Sequence, residues 1–182
     1  MTTTPDSVFA PNRLQLQLEQ VDEFPKFLRP WVRNLVLRRA VPFTRTAGVE
    51  FIEMSPHRVE VRLGNEPRVR NHIGGIHASA MNLLAETATG MAVGLNVRDD
   101  CTPLAKDMKM AFRKRATGAL RAVAVLTDVQ RAAMQADTKG EMQVQVTVTD
   151  EAGVEPVECE FTWAWVPSHR PAKPMTEQSP TH

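Results

Sequence analysis

Residues 71–90 read NHIGGIHASAMNLLAETATG and lead into an apolar segment that ends near Val97. From Ile76 to Val97, large apolar side chains occur on every side of a helical wheel, and most of the other residues are Ala, Gly, Ser or Thr. A helix that is apolar nearly all round is typical of one buried inside a protein. Because Asn82 and Glu86 interrupt it, the apolar part is too short to cross a bilayer. We therefore predict one long central helix enclosed by other elements.

Strand-like alternation flanks this helix on both sides. Before it, residues 45–63 predict a hairpin that turns at Pro56. After the central helix, four strands are predicted at 103–115, 118–128, 141–150 and 157–166, and a short helix is predicted at 129–136, between the second and third of them. The order β-β-α-β-β-β-β indicates an α+β fold, in which a curved antiparallel sheet of about six strands wraps around the helix and the last four strands form a meander. Since one sheet leaves open edges, we expect dimerisation by edge pairing or by contact between helices.

The two ends of the chain differ from the middle. Residues 1–42 predict an N-terminal helical extension, residues 43–167 the α+β domain, and residues 168–182 a proline-rich, flexible C-terminal tail. The extension contains a candidate helix from about Pro25 to Arg39 that carries several arginines. The arginines form either a solvated face or a contact with an anionic ligand or membrane surface. They are Arg29, Arg33, Arg38 and Arg39.

Composition narrows the class of protein. The chain has 182 residues, with 22 Lys and Arg against 21 Asp and Glu, and aromatic residues make up 5%. This near-neutral balance excludes a nucleic-acid binder, which requires a basic surface. Cys101 and Cys159 have no metal-binding or disulfide pattern, so no metal site is predicted. The first residues lack a basic region followed by an apolar run, and we expect a cytoplasmic protein without a membrane span.

Glu86 is the sharpest candidate for chemistry. Its neighbours Leu83, Leu84, Ala85 and Ala88 are apolar. A carboxylate in such surroundings is costly to bury in its charged form, so it is either paired or has a raised pKa. The alternative is that Glu86 points outward or caps a backbone group.

The start of the helix is a second candidate. Gly74 and Gly75 allow a tight entry, after which the first N–H groups of the helix, around His77 and Ala78, are free to bind an oxyanion or a thioester carbonyl. An ordinary glycine turn, with His77 as a structural residue, is the simpler interpretation.

The spacing of His77 and Glu86 predicts a site shared between two chains. Nine residues place them ~13.5 Å apart along a helix and on opposite sides. If both act on one substrate, one of them comes from a second subunit. Gly90 and Gly94 share the face of Glu86, which predicts a flat surface for a partner helix or a slim acyl chain.

The spacing Asn71-x5-His77-x8-Glu86 at the start of a buried helix resembles the hotdog-fold thioesterases of the phenylacetate-pathway type. The string NHIGGIHASAMNLLAETATG is more similar still to a DUF4442-like branch of bacterial hotdog proteins. The resemblance covers about residues 40–166. It implies a hotdog fold and an acyl-CoA thioesterase that acts at a homodimer interface, with a dimer of dimers as a further option.

The resemblance also implies a role for each matching residue. Glu86 corresponds to the helix carboxylate that acts as nucleophile or as general base for water, and the backbone N–H at Ala78 to the group that polarises the thioester carbonyl. Asn71 and His77 correspond to the polar pair, from the opposite subunit, that positions the loop, the water or the leaving thiolate. The family has His-Gly-Gly where this chain has His-Ala-Ser, ending at Ser79, so slow turnover, or binding without turnover, is expected.

A thioester of coenzyme A also needs cationic partners for its phosphates. Arg113, Lys114 and Arg115 are candidates, although a solvated surface explains them equally well. No separate cofactor is implied, since coenzyme A arrives as part of the substrate. The alternative function is a non-catalytic hotdog protein that binds acyl-CoA or fatty acyl groups. A hotdog hydratase is disfavoured, because the Asp-x4-His pairing of such enzymes is missing.

Overall fold

The six predicted strands form one antiparallel sheet that curves around a central helix, as the computed structural model of residues 9–168 shows. The strands are β1 (Glu50–Met54), β2 (Arg58–Leu63), β3 (Cys101–Phe112), β4 (Leu120–Val125), β5 (Gly140–Asp150) and β6 (Val157–Pro167). The helices are α1 (Arg13–Glu19), α2 (Arg29–Ala40), α3 (Pro42–Ala47), α4 (Ala78–Gly94) and α5 (Asp128–Ala136). The predicted α+β class and the order of strands around one long helix are confirmed. Apart from Ser168, the predicted tail lies outside the described residues.

The neighbours within the sheet differ from the predicted meander. The strand order is β1-β2-β4-β5-β6-β3, so of the four strands in the predicted meander only β4, β5 and β6 follow one another in space. β3 pairs with β6 at the far edge, where its 12 residues match the 11 of that strand. β4 is already paired on both sides, by β2 and β5. The chain therefore crosses from one side of the sheet to the other through α4.

The hairpin is shorter than predicted at its start. Pro42 begins helix α3, because proline fits the first turn of a helix. The helix ends at Gly48, which has a φ of 81° and so adopts the left-handed conformation that favours glycine. Strand β1 consequently begins at Glu50 rather than at Arg45.

The N-terminal extension caps the end of α4. The side-chain amide of Asn12 donates to the carbonyl oxygens of Gly94 and Val97 at 2.9 and 2.8 Å. Gln15 donates in the same way to Leu95. The last carbonyls of a helix have no partner within the helix, so these bonds satisfy groups that would otherwise be buried and unpaired.

Helix α2 covers the outer edge of β1. Arg33 Nε donates to the Phe51 carbonyl oxygen at 3.0 Å, and Arg38 Nε to that of Val49 at 2.6 Å. Asn34 accepts from the Phe51 N–H at 2.9 Å. Neither predicted alternative describes Arg33 and Arg38, whose guanidinium groups bind the sheet edge and leave it unavailable to another strand.

We predict that Asn12→Ala destabilises the protein by about 1–3 kcal/mol, because two carbonyls of the α4 terminus lose their donor. Asn12 is 6% exposed, so water does not freely replace it. Urea unfolding measures the loss. Gln17→Ala, at an exposed position of α1, the helix that Asn12 precedes, serves as control and should stay within about 0.5 kcal/mol of the wild type. Equal effects of the two substitutions would contradict the capping role.

Candidate active site

An apolar groove of about 570 Å³ lies between one face of α4 and strand β3. We call it the α4–β3 groove. Its floor and walls are Phe43, Ala78, Ser79, Asn82, Leu83, Glu86, Ala105, Met108, Met110 and Phe112. Because β3 is the last strand of the sheet, no further strand of the described chain covers this side of the helix.

Glu86 lies in the wall of the groove, half-buried among apolar side chains. No group in residues 9–168 donates a hydrogen bond to its carboxylate or forms an ion pair with it. Burial raises the pKa of Glu86 above its ordinary value of 4.5, because the charged form is poorly solvated. A carboxylate that is poorly solvated and unpaired, yet open to a groove, is suited to accept a proton or to attack a carbonyl carbon.

The N-terminus of α4 leaves one donor for a ligand. His77 is the N-cap residue, and its Nδ1 accepts from the Ser79 N–H at 3.1 Å. The N–H groups of Ala80 and Met81 are used within the chain, by the His77 carbonyl oxygen. Within the described chain nothing accepts from the Ala78 N–H, and Ala78 faces the groove. Of the predicted donors, Ala78 is therefore the one placed to polarise a carbonyl oxygen.

Asn71 organises the loop before the helix. Its Oδ1 accepts from the N–H groups of Ile73 and Gly75, each at 3.1 Å. Gly74 has a φ of 79° and so needs to be glycine for conformational reasons. Gly75 has neither a positive φ nor a close neighbour, since a Cβ there would stay 3.8 Å from Asn71. The predicted positioning role of Asn71 thus has a local structural basis, whereas the N–H of Gly75 is already occupied.

Within one chain, Ala78 and Glu86 share a groove but are too far apart to act on one atom. Eight residues of helix separate them by ~12 Å along the axis. His77 is exposed at the end of the groove and does not line it. The structure thus brings Ala78, Ser79 and Glu86 to one groove, and places Asn71, Gly75 and His77 in the loop at its end.

The face beyond Glu86 is filled. At Gly90, a Cβ would lie 2.7 Å from Cη2 of Trp163, so the indole ring occupies the space that a side chain would take. Trp163 also donates to Thr89 Oγ1 at 2.9 Å. At Gly94, a Cβ would meet Leu14 at 3.5 Å. Gly90 and Gly94 were predicted to admit a partner helix or an acyl chain, but they accommodate Trp163 and Leu14 of the same chain. The free space beside α4 lies toward β3.

The three predicted cations lie just after β3. Arg115 Nη2 donates to the Ile73 carbonyl oxygen at 3.3 Å, which places it beside the loop at the start of α4. Arg113 pairs with Glu158 at 2.8 Å, and Lys114 is exposed. Arg115 and Lys114 are therefore better candidates for binding a phosphate than Arg113, whose charge is already neutralised by Glu158.

Several groove residues were not predicted from the sequence. Met108 and Phe112 alternate along β3, which indicated a strand but not a binding surface; they are 47% and 55% exposed. Phe43 comes from α3, outside the sheet. The missing information was the position of β3 at an edge, which leaves its apolar face uncovered.

A curved six-strand sheet around a central helix, with a groove along that helix, defines a hotdog fold. Residues 30–166 match the family model described as Domain of unknown function (DUF4442), and the chain belongs to that family. Comparison with curated proteins finds no match.

Solved structures share the fold. A Pseudomonas aeruginosa protein of unknown function, PA5026, named a probable thioesterase, is 24% identical with a TM-score of 0.68, over 80% of this chain and 97% of that one. Thioesterase HI1161 from Haemophilus influenzae is 17% identical with a TM-score of 0.62, over 75% and 92%. A mutant of thioesterase PA1618 from Pseudomonas aeruginosa is 17% identical with a TM-score of 0.60, over 83% and 94%. At these identities the likeness establishes the fold.

No helix in residues 9–168 is both long and apolar enough to cross a membrane. The same residues contain no group of three or more His, Cys, Asp or Glu side chains that could hold a metal ion.

We predict that Glu86→Gln stabilises the fold at neutral pH. The folded state raises the pKa of Glu86, so this residue favours folding below its unfolded pKa and disfavours it once pH rises through the folded pKa. The neutral amide removes that cost, so the gain should shrink as pH falls through the raised folded pKa and should be lost below about 4.5, the ordinary value of the group. Urea unfolding across this pH range measures it. The exposed Glu155→Gln is the control, and a gain independent of pH would contradict the explanation.

Proposed function

We propose that the protein is an acyl-CoA thioesterase-like hydrolase whose active site is completed at a homodimer interface. The observation that carries the proposal is the presence of an unpaired, half-buried carboxylate, Glu86, and an unused helix N–H, that of Ala78, in one apolar groove. The first polarises water or attacks a carbonyl carbon, and the second stabilises the developing oxyanion. Structures with the same fold that are named thioesterases support this chemistry.

The open edge of the sheet supports the dimer. α2 covers the edge of β1, whereas no strand in residues 9–168 pairs with the outer edge of β3. Unpaired edges are templates for another strand. Pairing of β3 with β3 of a second copy would set the two grooves side by side, because β3 lines the groove. Ala78 of one subunit would then approach Glu86 of the other. Such an approach is needed because the two residues of one chain lie ~12 Å apart along the helix and cannot act on one atom together.

In the proposed reaction the thioester carbonyl oxygen accepts a hydrogen bond from the Ala78 N–H. Glu86 takes a proton from water as the water oxygen bonds to the carbonyl carbon, and the charge develops on the carbonyl oxygen. The intermediate then expels the thiolate, which takes up a proton, leaving a carboxylic acid and free coenzyme A. Direct attack by Glu86, followed by hydrolysis of the anhydride, gives the same products. Asn71 and His77 hold the loop and the first turn of α4 in place.

The groove indicates the part of the substrate that it holds. Leu83, Met108, Met110 and Phe112 provide an apolar wall for an acyl group. Methionine side chains adapt their shape to the molecule that they contact, which favours a range of acyl groups over a single one. The coenzyme A portion would extend toward Lys114 and Arg115.

We predict that Glu86→Gln lowers kcat for acyl-CoA hydrolysis on the order of 10²–10⁴-fold, the usual contribution of a general base. In the wild type, kcat/KM should rise with pH through the pKa of Glu86, which burial raises above 4.5, because only the carboxylate accepts a proton. Release of free thiol from a panel of acyl-CoAs measures both.

The control is Glu155→Gln, which should match the wild type. Thiol release that survives Glu86→Gln would contradict the assignment. Tight binding of acyl-CoA without any turnover by the wild type would instead support the non-catalytic binder, which the Ala78–Ser79 replacement of two glycines favours.

We predict that Arg115→Ala raises KM for acyl-CoA about two- to five-fold with little change in kcat, because an exposed charge contact contributes up to about 1 kcal/mol. Hydrolysis of the corresponding acyl-pantetheine, which lacks the nucleotide phosphates, should not change. Lys139→Ala, an exposed cation elsewhere, is the control. An equal rise in KM for both substrates would mean that Arg115 acts by supporting the loop at Ile73.

A further inference from the structure

Residues 24–47 differ in charge from the rest of the chain. They contain six basic residues and no Asp or Glu, although the whole chain is nearly balanced at 22 against 21. The six are Lys26, Arg29, Arg33, Arg38, Arg39 and Arg45. Arg33 and Arg38 bind the edge of β1, and Arg29 pairs with Asp22. In the described part of the chain, the other three have no ion-pair partner.

Helix α2 contacts the protein through polar side chains at the sheet edge and through Leu37, which is 1% exposed. Arg33, Asn34 and Arg38 point to the sheet edge, where they make hydrogen bonds. Trp31 and Leu35 instead point to solvent and are 65% and 54% exposed. An ordinary surface helix exposes polar residues at such positions.

The exposed apolar residues and the unpaired cations come from one segment, residues 26–45. Phe27 precedes the helix by half a turn and is 80% exposed, and Trp31 and Leu35 follow it at steps of four residues. Lys26, Arg39 and Arg45 come from the same segment and are exposed. We call these six residues the α2 surface.

We propose that the α2 surface binds the face of an anionic lipid membrane. Aromatic and leucine side chains enter the boundary between headgroups and acyl chains, while lysine and arginine contact the anionic headgroups. Binding is peripheral, since no helix in residues 9–168 could span a bilayer. The inference rests on the α2 surface and not on hydrolysis at Glu86.

Charge favours a membrane over a second copy of the chain. A two-fold contact between two α2 surfaces would oppose cations to cations, because residues 24–47 supply no acidic partner. Like charges placed opposite one another destabilise such a contact. An anionic lipid surface, in contrast, provides charge of the required sign over its whole area.

The test measures binding of the full chain to vesicles of phosphatidylcholine alone and of equal parts phosphatidylcholine and phosphatidylglycerol. Co-sedimentation gives the partition coefficient. Trp31 provides a second readout, because Trp163 and Trp165 are only 6% and 2% exposed, so a vesicle-dependent blue shift reports on Trp31. Binding is expected with phosphatidylglycerol, and added salt should weaken it.

Two double variants separate the contributions. Trp31→Ser with Leu35→Ser should weaken partitioning by about tenfold or more, since apolar area is lost. Lys26→Glu with Arg39→Glu should weaken it roughly fivefold for each cation removed. The matched controls are Val129→Ser, at an apolar residue that is 80% exposed elsewhere, and Lys139→Glu. Circular dichroism checks that each variant is folded.

Three results would overturn the proposal. They are absence of binding to the anionic vesicles, equal binding to both kinds of vesicle, and equal loss in the control variants. If the Trp31→Ser, Leu35→Ser variant lowers the oligomeric state seen by sedimentation velocity while the wild type ignores vesicles, the α2 surface is an interface between copies. Acyl-CoA hydrolysis in solution by these variants should match the wild type, so failure of one proposal is distinguishable from failure of the other.

Discussion

The enclosure of α4 by a single curved sheet is the constraint on which the rest of the structure depends. Leu84, Ala85 and Ala88 have no exposed surface, so the helix is held on several sides. A helix buried in this way still has two ends with unpaired backbone groups. Asn12 and Gln15 satisfy the C-terminal end, whereas at the other end Ala78, whose N–H has no acceptor within the described chain, lines the groove. The difference between the two ends produces the candidate site.

The same enclosure explains why Glu86 is half-buried. β3 is an edge strand that leaves a groove beside α4, and Glu86 lines this groove. A carboxylate on a fully enclosed face would be neutral or would require a cation, and one on an open face would keep its ordinary pKa. Glu86 is intermediate between these cases, because it is half-buried. Its burial raises its pKa, while its carboxylate stays accessible from the groove. The cost to stability and the proposed reactivity therefore have one physical origin.

The kind and order of the elements could be predicted from local pattern, but several contacts could not. Alternation shows which residues share a face of a strand, and does not show which strand lies beside it. β3 was therefore expected next to β4, and the exposure of Met108 and Phe112 was missed. Gly90 indicated free space, yet Trp163 from a strand more than 70 residues away fills it. Glu86 was identified correctly as a poorly solvated group, because its apolar neighbours are close in sequence.

The bonds from Asn12 and Gln15 to the end of α4 also bear on where the functional unit begins. The match to the family model starts at residue 30, within α2, so both capping residues lie before it. A chain cut to the matched segment would keep the cover over the β1 edge and lose the cover over the α4 terminus. The segment that matches the family model therefore omits side chains that bind the C-terminal end of the central helix. Crystallographic or binding work on an excised domain would concern a protein whose central helix has been uncapped.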